Sequence, residues 1–171
     1  MAVWLFGLPN SGKTTLARRL SNRLEALGSH HELLDGDEVR KFFQDTDYSP
    51  EGRRNNIRRV IFATALMVKH NISVVVANVL PFEDMRGELR EAIPGMNLVY
   101  LKASLAECRR RDARKGALGG SSATFGRDLL FEQPGAVDLT LKTDSLTIGE
   151  SLQRLYLFLG LNAGRSTGGS G

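Results

Sequence analysis

Eight positions from Gly7 to Thr14 spell G-x-x-x-x-G-K-T within the opening stretch MAVWLFGLPNSGKTT. Glycines in such a turn let the backbone wrap an anion and expose several N–H donors, with the positive end of the next helix behind them. In this pattern Lys13 reaches the β- and γ-phosphates of a nucleotide, and the Thr14 hydroxyl holds Mg²⁺. The residues expected to bind the nucleotide are Gly7, Asn10, Ser11, Gly12, Lys13, Thr14 and Thr15. A glycine turn that merely joined strand to helix would leave the Lys-Thr pair unexplained.

A second cluster, LLDGDEVR at residues 33–40, sets Asp35 and Asp37 at the C-terminal end of an apolar run, where open α/β sheets bind ligands. The next strand-like run ends in VVANVLP without an aspartate, so it offers no carboxylate of the Walker-B kind. One of Asp35 and Asp37 must then orient the waters of Mg²⁺, while the other can accept a proton from an attacking hydroxyl. The competing reading is Asp-Gly turn chemistry, with Asp37 as the N-cap of EVRKFF. Further on, YSPEGRRNNIRRV opens a helix with Ser49 as N-cap and Pro50 at the first helical position. Arg53 and Asn56 share one face of it and suit an anion and a base; Ile57, Val60 and Ile61 face inward.

The elements that must carry these residues alternate. Apolar runs at 2–6, 31–34, 73–79, 97–103 and 137–143 read as strands. Between them lie helical spacings: Leu16, Leu20 and Leu24; Ile57, Ile61 and Ala65; Leu152, Leu155 and Leu159. The first helix is expected from Thr14 to about Leu27. Strand and helix in alternation predict an α/β fold, a parallel sheet covered by helices on both faces. At 171 residues and 18.8 kDa the chain suits one domain, taken as residues 1–161. Residues 116–128, small and polar, read as a mobile loop, and 162–171 as a disordered tail.

Bulk properties exclude several functions. No apolar stretch approaches the roughly 18 residues of a membrane span, and the N-terminus lacks a signal-peptide pattern. The single cysteine, Cys108, fits a reducing compartment, so a cytoplasmic location is expected, and packing is its expected role. Arginine supplies 17 of 23 basic residues and favours phosphate-bearing small ligands. The Arg109, Arg110 and Arg111 run points in three directions on a helix with no aromatic partner, so no nucleic acid is expected. His30, His31 and His70 lack metal spacing and read as surface or turn residues, and Trp4 reads as core.

GLPNSGKTT, LDGDEVR, YSPEGRRNNIRRV, LPFEDMR and AECRRRDARKG stand in the same order and at similar spacing as GLSGSGKTT, LDGDNVR, FSPEDRxENIRRV, SPFxxxR and CExRDxKG of the adenylylsulfate kinases. The chain resembles that family over roughly residues 2–160. The resemblance implies a single-domain P-loop kinase with a five-stranded parallel sheet. It would move the γ-phosphoryl of ATP to the 3′-hydroxyl of adenylylsulfate, giving 3′-phosphoadenylylsulfate and ADP. It further implies that Lys13 and Thr14 hold ATP and Mg²⁺ and that Asp37 faces the acceptor hydroxyl, which leaves Asp35 as the carboxylate expected at the metal. Arg40, Phe43, Arg53 and Asn56 would grip the acceptor, with Val79, Leu80 and Phe125 beside it. Arg111 and Arg114 suit the transferring phosphoryl or the ATP base. Family members are often dimers, so a homodimer is allowed.

Two segments depart from the family. Leu80 replaces the serine of SPF, and KGALGGSSATFGRDLLFEQP is shorter than the family's lid, aligning only at Phe125, Glu132 and Pro134. Groups that hydrogen-bond a substrate select it strongly, so changed groups can select a different one. Adenylylsulfate is the first expectation; cytidine diphosphoramidate, phosphorylated at its 3′-hydroxyl by a related kinase, is the alternative. A non-catalytic module that binds ATP as a switch is a third reading, and it leaves the second aspartate without a task.

Overall fold

Ala2–Phe6 forms a strand, β1, with all five residues buried, as a position in the middle of a two-faced sheet requires. A computed structural model describes residues 1–117 and 130–161. The other strands are β2 (His31–Asp35), β3 (Ser73–Ala77), β4 (Asn97–Lys102) and β5 (Leu139–Lys142). All pairings are parallel, in the order β2-β3-β1-β4-β5. The helices are α1 (Lys13–Ala26), α2 (Gly36–Phe42), α3 (Pro50–Lys69), α4 (Glu83–Ala92), α5 (Leu105–Ala117) and α6 (Ile148–Phe158).

Strand side chains alternate between faces, and β1 shows where each set goes. Val3 and Leu5 pack with Leu16, Leu20 and Leu24 of α1 and Leu155 of α6. Trp4 and Phe6 pack on the opposite face with Ile57, Val60 and Ile61 of α3 and Met85 and Leu89 of α4. The expected layers are therefore present, with a core on each side of the sheet. Ala77 of β3 pairs with both Leu5 and Asp35, which sets the ends of β1, β2 and β3 at one level. The loops after these three strands consequently meet along one edge.

Element bounds differ from expectation in detail. Gly116 and Ala117 belong to α5 and not to a loop. The remainder of the expected loop, with Phe125, and the expected tail 162–171 lie outside the described residues. Asn78 and Val79 have already left β3. His31 sits in β2, where its ring meets Ser21 Oγ at 2.8 Å.

Candidate active site

The first turn of α1 is left open to an anion. Ser49 caps α3, Asp35 caps α2 and Thr147 with Glu150 forms a capping box on α6. At α1 the N-cap is Gly12, at φ 102°, with no side-chain cap and no acid in the first turn. Its free N–H groups and its dipole thus face the loop without competition. Gly7 cannot be replaced: at φ 149°, a Cβ there would lie 2.4 Å from the Leu101 carbonyl oxygen.

Lys13 closes this cradle. Its ammonium donates to the carbonyls of Gly7 at 3.1 Å and Leu8 at 2.8 Å. Burial lowers its pKa to about 8, opposed in part by the nearby charges of Asp37 and Asp35. The Ser11 hydroxyl is buried without a partner. Thr14 Oγ1 donates to Asp35 Oδ2 at 2.8 Å, joining the start of α1 to the end of β2. A hydroxyl and a carboxylate touching beside a phosphate cradle are the donor set that fits a hard cation such as Mg²⁺. Among the described residues no group of three or more His, Cys, Asp or Glu could hold a metal. Oxygens of a bound phosphate would therefore complete such a site.

Asp35 Oδ1 accepts the backbone N–H of Asp37 at 2.9 Å. Asp35, not Asp37, is therefore the cap of α2, and the Asp37 carboxylate is exposed. Asp37 lines a cleft together with Arg40, Tyr48, Arg53, Asn56 and Asn78. Tyr48 is its centrepiece: the Arg40 guanidinium lies 4.5 Å and that of Arg53 5.4 Å from the ring centroid. Arg53 Nε also donates to the Tyr48 carbonyl at 3.0 Å. Burial and the Arg40 charge together lower the pKa of Arg53. Two cations crowded at one cleft favour an anionic occupant.

The adenylylsulphate kinase family model matches residues 1–142. An adenylyl-sulfate kinase of Deinococcus deserti is 36% identical over 167 residues, 94% of this chain and 92% of that protein. One of Chloroflexus aurantiacus is 37% identical over 164 residues, 93% and 88% of the two chains. This chain belongs to the adenylylsulfate kinase family. The structure of the Mycobacterium tuberculosis APS kinase CysC in complex with AMPPNP and APS matches with a TM-score of 0.80 at 27% identity, over 93% of this chain and 96% of that one.

Within this adenylylsulfate kinase fold, the expected residues separate into three groups. Gly7, Asn10, Ser11, Gly12, Lys13 and Thr14 form the cradle, with Thr15 exposed at its edge. Asp37, Arg40, Arg53, Asn56 and Val79 meet at the cleft. Arg40 is largely engaged already, paired with Asp45 at 3.2 Å and donating to the Asp47 carbonyl at 2.6 Å. It thereby pins the loop that presents Tyr48. Arg111 lies against the outer wall of the cradle, held by Glu107 at 2.8 Å, and Arg114 is exposed one turn on.

Two expected acceptor contacts fall elsewhere. Phe43 packs edge-on to Phe42 and under Arg59, just past the end of α2, and does not line the cleft. Leu80 is fully buried among Phe82, Met85 and Leu89, because its apolar side chain gains more in the core than at a polar cleft. Its carbonyl accepts from Arg86 Nη1 at 2.6 Å.

Two cleft residues were not anticipated. Tyr48 stands where the family's FSPEDR has phenylalanine, a signal present in the aligned motif. Asn78 follows β3, where a Walker-B carboxylate would stand, and is buried with its Nδ2 unpartnered. Its amide lies so close to Gly36 that a Cβ there would come within 2.3 Å. Asn56 contacts the same glycine, donating to its carbonyl at 3.2 Å and leaving Oδ1 unpartnered.

Proposed function

We propose that this chain transfers the γ-phosphoryl group of ATP to the 3′-hydroxyl of adenylylsulfate. The observation that carries the reading is the position of Asp37. It lines the cleft, and among the nearby charges it most opposes the fall in the Lys13 pKa, so it adjoins both the cradle and the acceptor side. Asp37 takes the proton of the acceptor hydroxyl, whose oxygen forms the new bond to the γ-phosphorus as the bond to the leaving ADP breaks. Lys13 and the N–H groups at the start of α1 hold the phosphates and balance charge passing to the leaving oxygen. Thr14 and Asp35 would hold Mg²⁺, which supplies charge neutralisation on the phosphates when bound. Arg53 keeps the anhydride end of the acceptor in place, Arg40 adds its charge while pinning the loop, and Tyr48 offers a face for stacking.

A second acceptor is favoured by one feature, Asn78 at the cleft, whose buried side-chain Nδ2 has no partner. A panel of labelled ATP with adenylylsulfate and with cytidine diphosphoramidate tests this directly. Transfer to adenylylsulfate supports the main reading. Transfer only to the cytidine nucleotide replaces the acceptor, and ATP binding without transfer to either replaces catalysis by a switch.

No helix among the described residues is long and apolar enough to cross a membrane. A cytoplasmic site of action accords with the free, buried Cys108. Pairing of two copies accords with exposed Phe62 and Leu66, one turn apart on α3, and light scattering would give the mass.

A further inference from the structure

Asn10 is the left-handed residue of the cradle that is not a glycine. Its φ is 59°, a conformation that L-residues adopt rarely and asparagine more readily than most. The family motif written GLSGSGKTT has glycine at this place, where no side chain opposes the conformation. Here the side chain is anchored: Asn10 Nδ2 donates to Asp112 Oδ1 on α5 at 2.8 Å, across 102 residues of sequence.

The neighbouring peptides are held as well. The Asn10 carbonyl accepts from Arg111 Nη1 at 3.3 Å, and the Ser11 carbonyl accepts from Thr143 Oγ1 at 2.8 Å. Arg111 Nη2 in turn donates to the Thr143 carbonyl. The carbonyl and N–H of one trans peptide point in opposite directions. Holding the Ser11 carbonyl outward on Thr143 therefore aims the Gly12 N–H into the cradle. Holding the Asn10 carbonyl on Arg111 leaves the Ser11 N–H to close the turn on the Leu8 carbonyl at 3.1 Å.

We propose that Asp112 is a positioning residue for ATP. Through Asn10 it keeps the crest of the phosphate loop in the left-handed conformation that directs the loop's N–H groups at the phosphates. The inference rests on the reading of that loop as an ATP cradle. Asp112 lies on the helix after β4, whereas the acceptor cleft lies at the ends of β2 and β3, on the other side of β1. The effect is consequently on ATP and not on the acceptor.

The test is a double-mutant cycle on the whole chain, read by calorimetric binding of Mg-ATP and by the two KM values. Asp112→Ala weakens Mg-ATP binding about tenfold, the scale of one hydrogen bond to a charged group, and leaves the acceptor KM within about twofold. Asp112→Asn keeps an acceptor oxygen and recovers most of that affinity. Asn10→Gly, which needs no anchor at φ 59°, loses about threefold by itself, and adding Asp112→Ala then costs less than about twofold more. Asn10→Ala removes the same bond from the loop side and reproduces the tenfold loss, which keeps the test available if Asp112→Ala does not fold. An equal cost of Asp112→Ala in both backgrounds, an equal rise in the acceptor KM, or unaltered ATP binding by Asn10→Ala overturns the proposal. Failure of the unmodified chain to bind Mg-ATP overturns the ATP reading itself, and the proposal with it.

Discussion

The Thr14 hydroxyl and the Asp35 carboxylate meet at 2.8 Å, joining residues 21 positions apart in the chain. The second Asp35 oxygen caps α2 through the Asp37 N–H, so one side chain fixes the start of α1 and the exposed Asp37 carboxylate relative to each other. Several measurements bear on this arrangement.

Asp35→Asn keeps a good N-cap, so the melting temperature should hold nearly constant. The rate should fall by about 10²-fold and the magnesium needed for half-maximal rate should rise, as expected when a residue at a metal site loses its charge. A magnesium titration of the variant reads both, and an unchanged midpoint removes Asp35 from the metal.

Asp37→Asn should lower kcat by about 10²-fold or more with little change in ATP affinity, the pattern of a lost general base. Its carboxylate is exposed, so folding should be unaffected. Steady-state kinetics with calorimetric ATP binding separates the two quantities; wild-type turnover would dismiss the role.

Lys13 makes nucleotide-free stability depend on pH. Its pKa is 10.5 in an unfolded chain and about 8 when folded. Between these values the unfolded state binds more protons, so stability rises with pH from about 8 to 10.5. Below 8 the burial cost is constant, on the order of 3 kcal/mol, and above 10.5 it vanishes. Denaturant melts of the wild type against Lys13→Met across this range should show that gain in the wild type alone.

Tyr48→Phe keeps the ring face beneath Arg40 and Arg53, and the acceptor KM should stay within about twofold. Tyr48→Ala should raise it about tenfold while the KM for ATP stays put. If both KM values move together, Tyr48 supports the fold and not the acceptor.

Leu80→Ser restores the family residue, yet at a fully buried position. It should cost about 3 kcal/mol through lost packing and a buried hydroxyl. A fall in melting temperature of roughly 6–12 °C would follow for a chain of this size. A stable variant with an improved acceptor KM would place Leu80 at the cleft after all.

Much of this is legible in the residue types and their spacing. The all-apolar β1, the four-residue leucine spacing of α1 and the Ser49-Pro50 start of α3 act within one element, where covalent geometry dictates which side chains share a face. The place of the cradle is equally local, since Gly7, Gly12 and the helix that starts at Lys13 follow one another in the chain. The order LDGDEVR likewise put two carboxylates near the cradle, although their division of labour stayed open.

What residue types and spacing determined by themselves is therefore the sheet-and-helix alternation, the phosphate cradle and the candidate acids. The tertiary structure decided which residues meet. Phe43 and Tyr48 are both aromatic, five positions apart and equally exposed, but the loop pinned by Arg40 on Asp45 and Asp47 sets Tyr48 at the cleft. Leu80 turns into the core because of where β3 ends, and Asp112 reaches Asn10 because α5 returns beside the first loop. Such contacts join segments far apart in the chain. Their distances depend on how helices rotate and pack on the sheet, a property of the assembled core that no local run of residues carries.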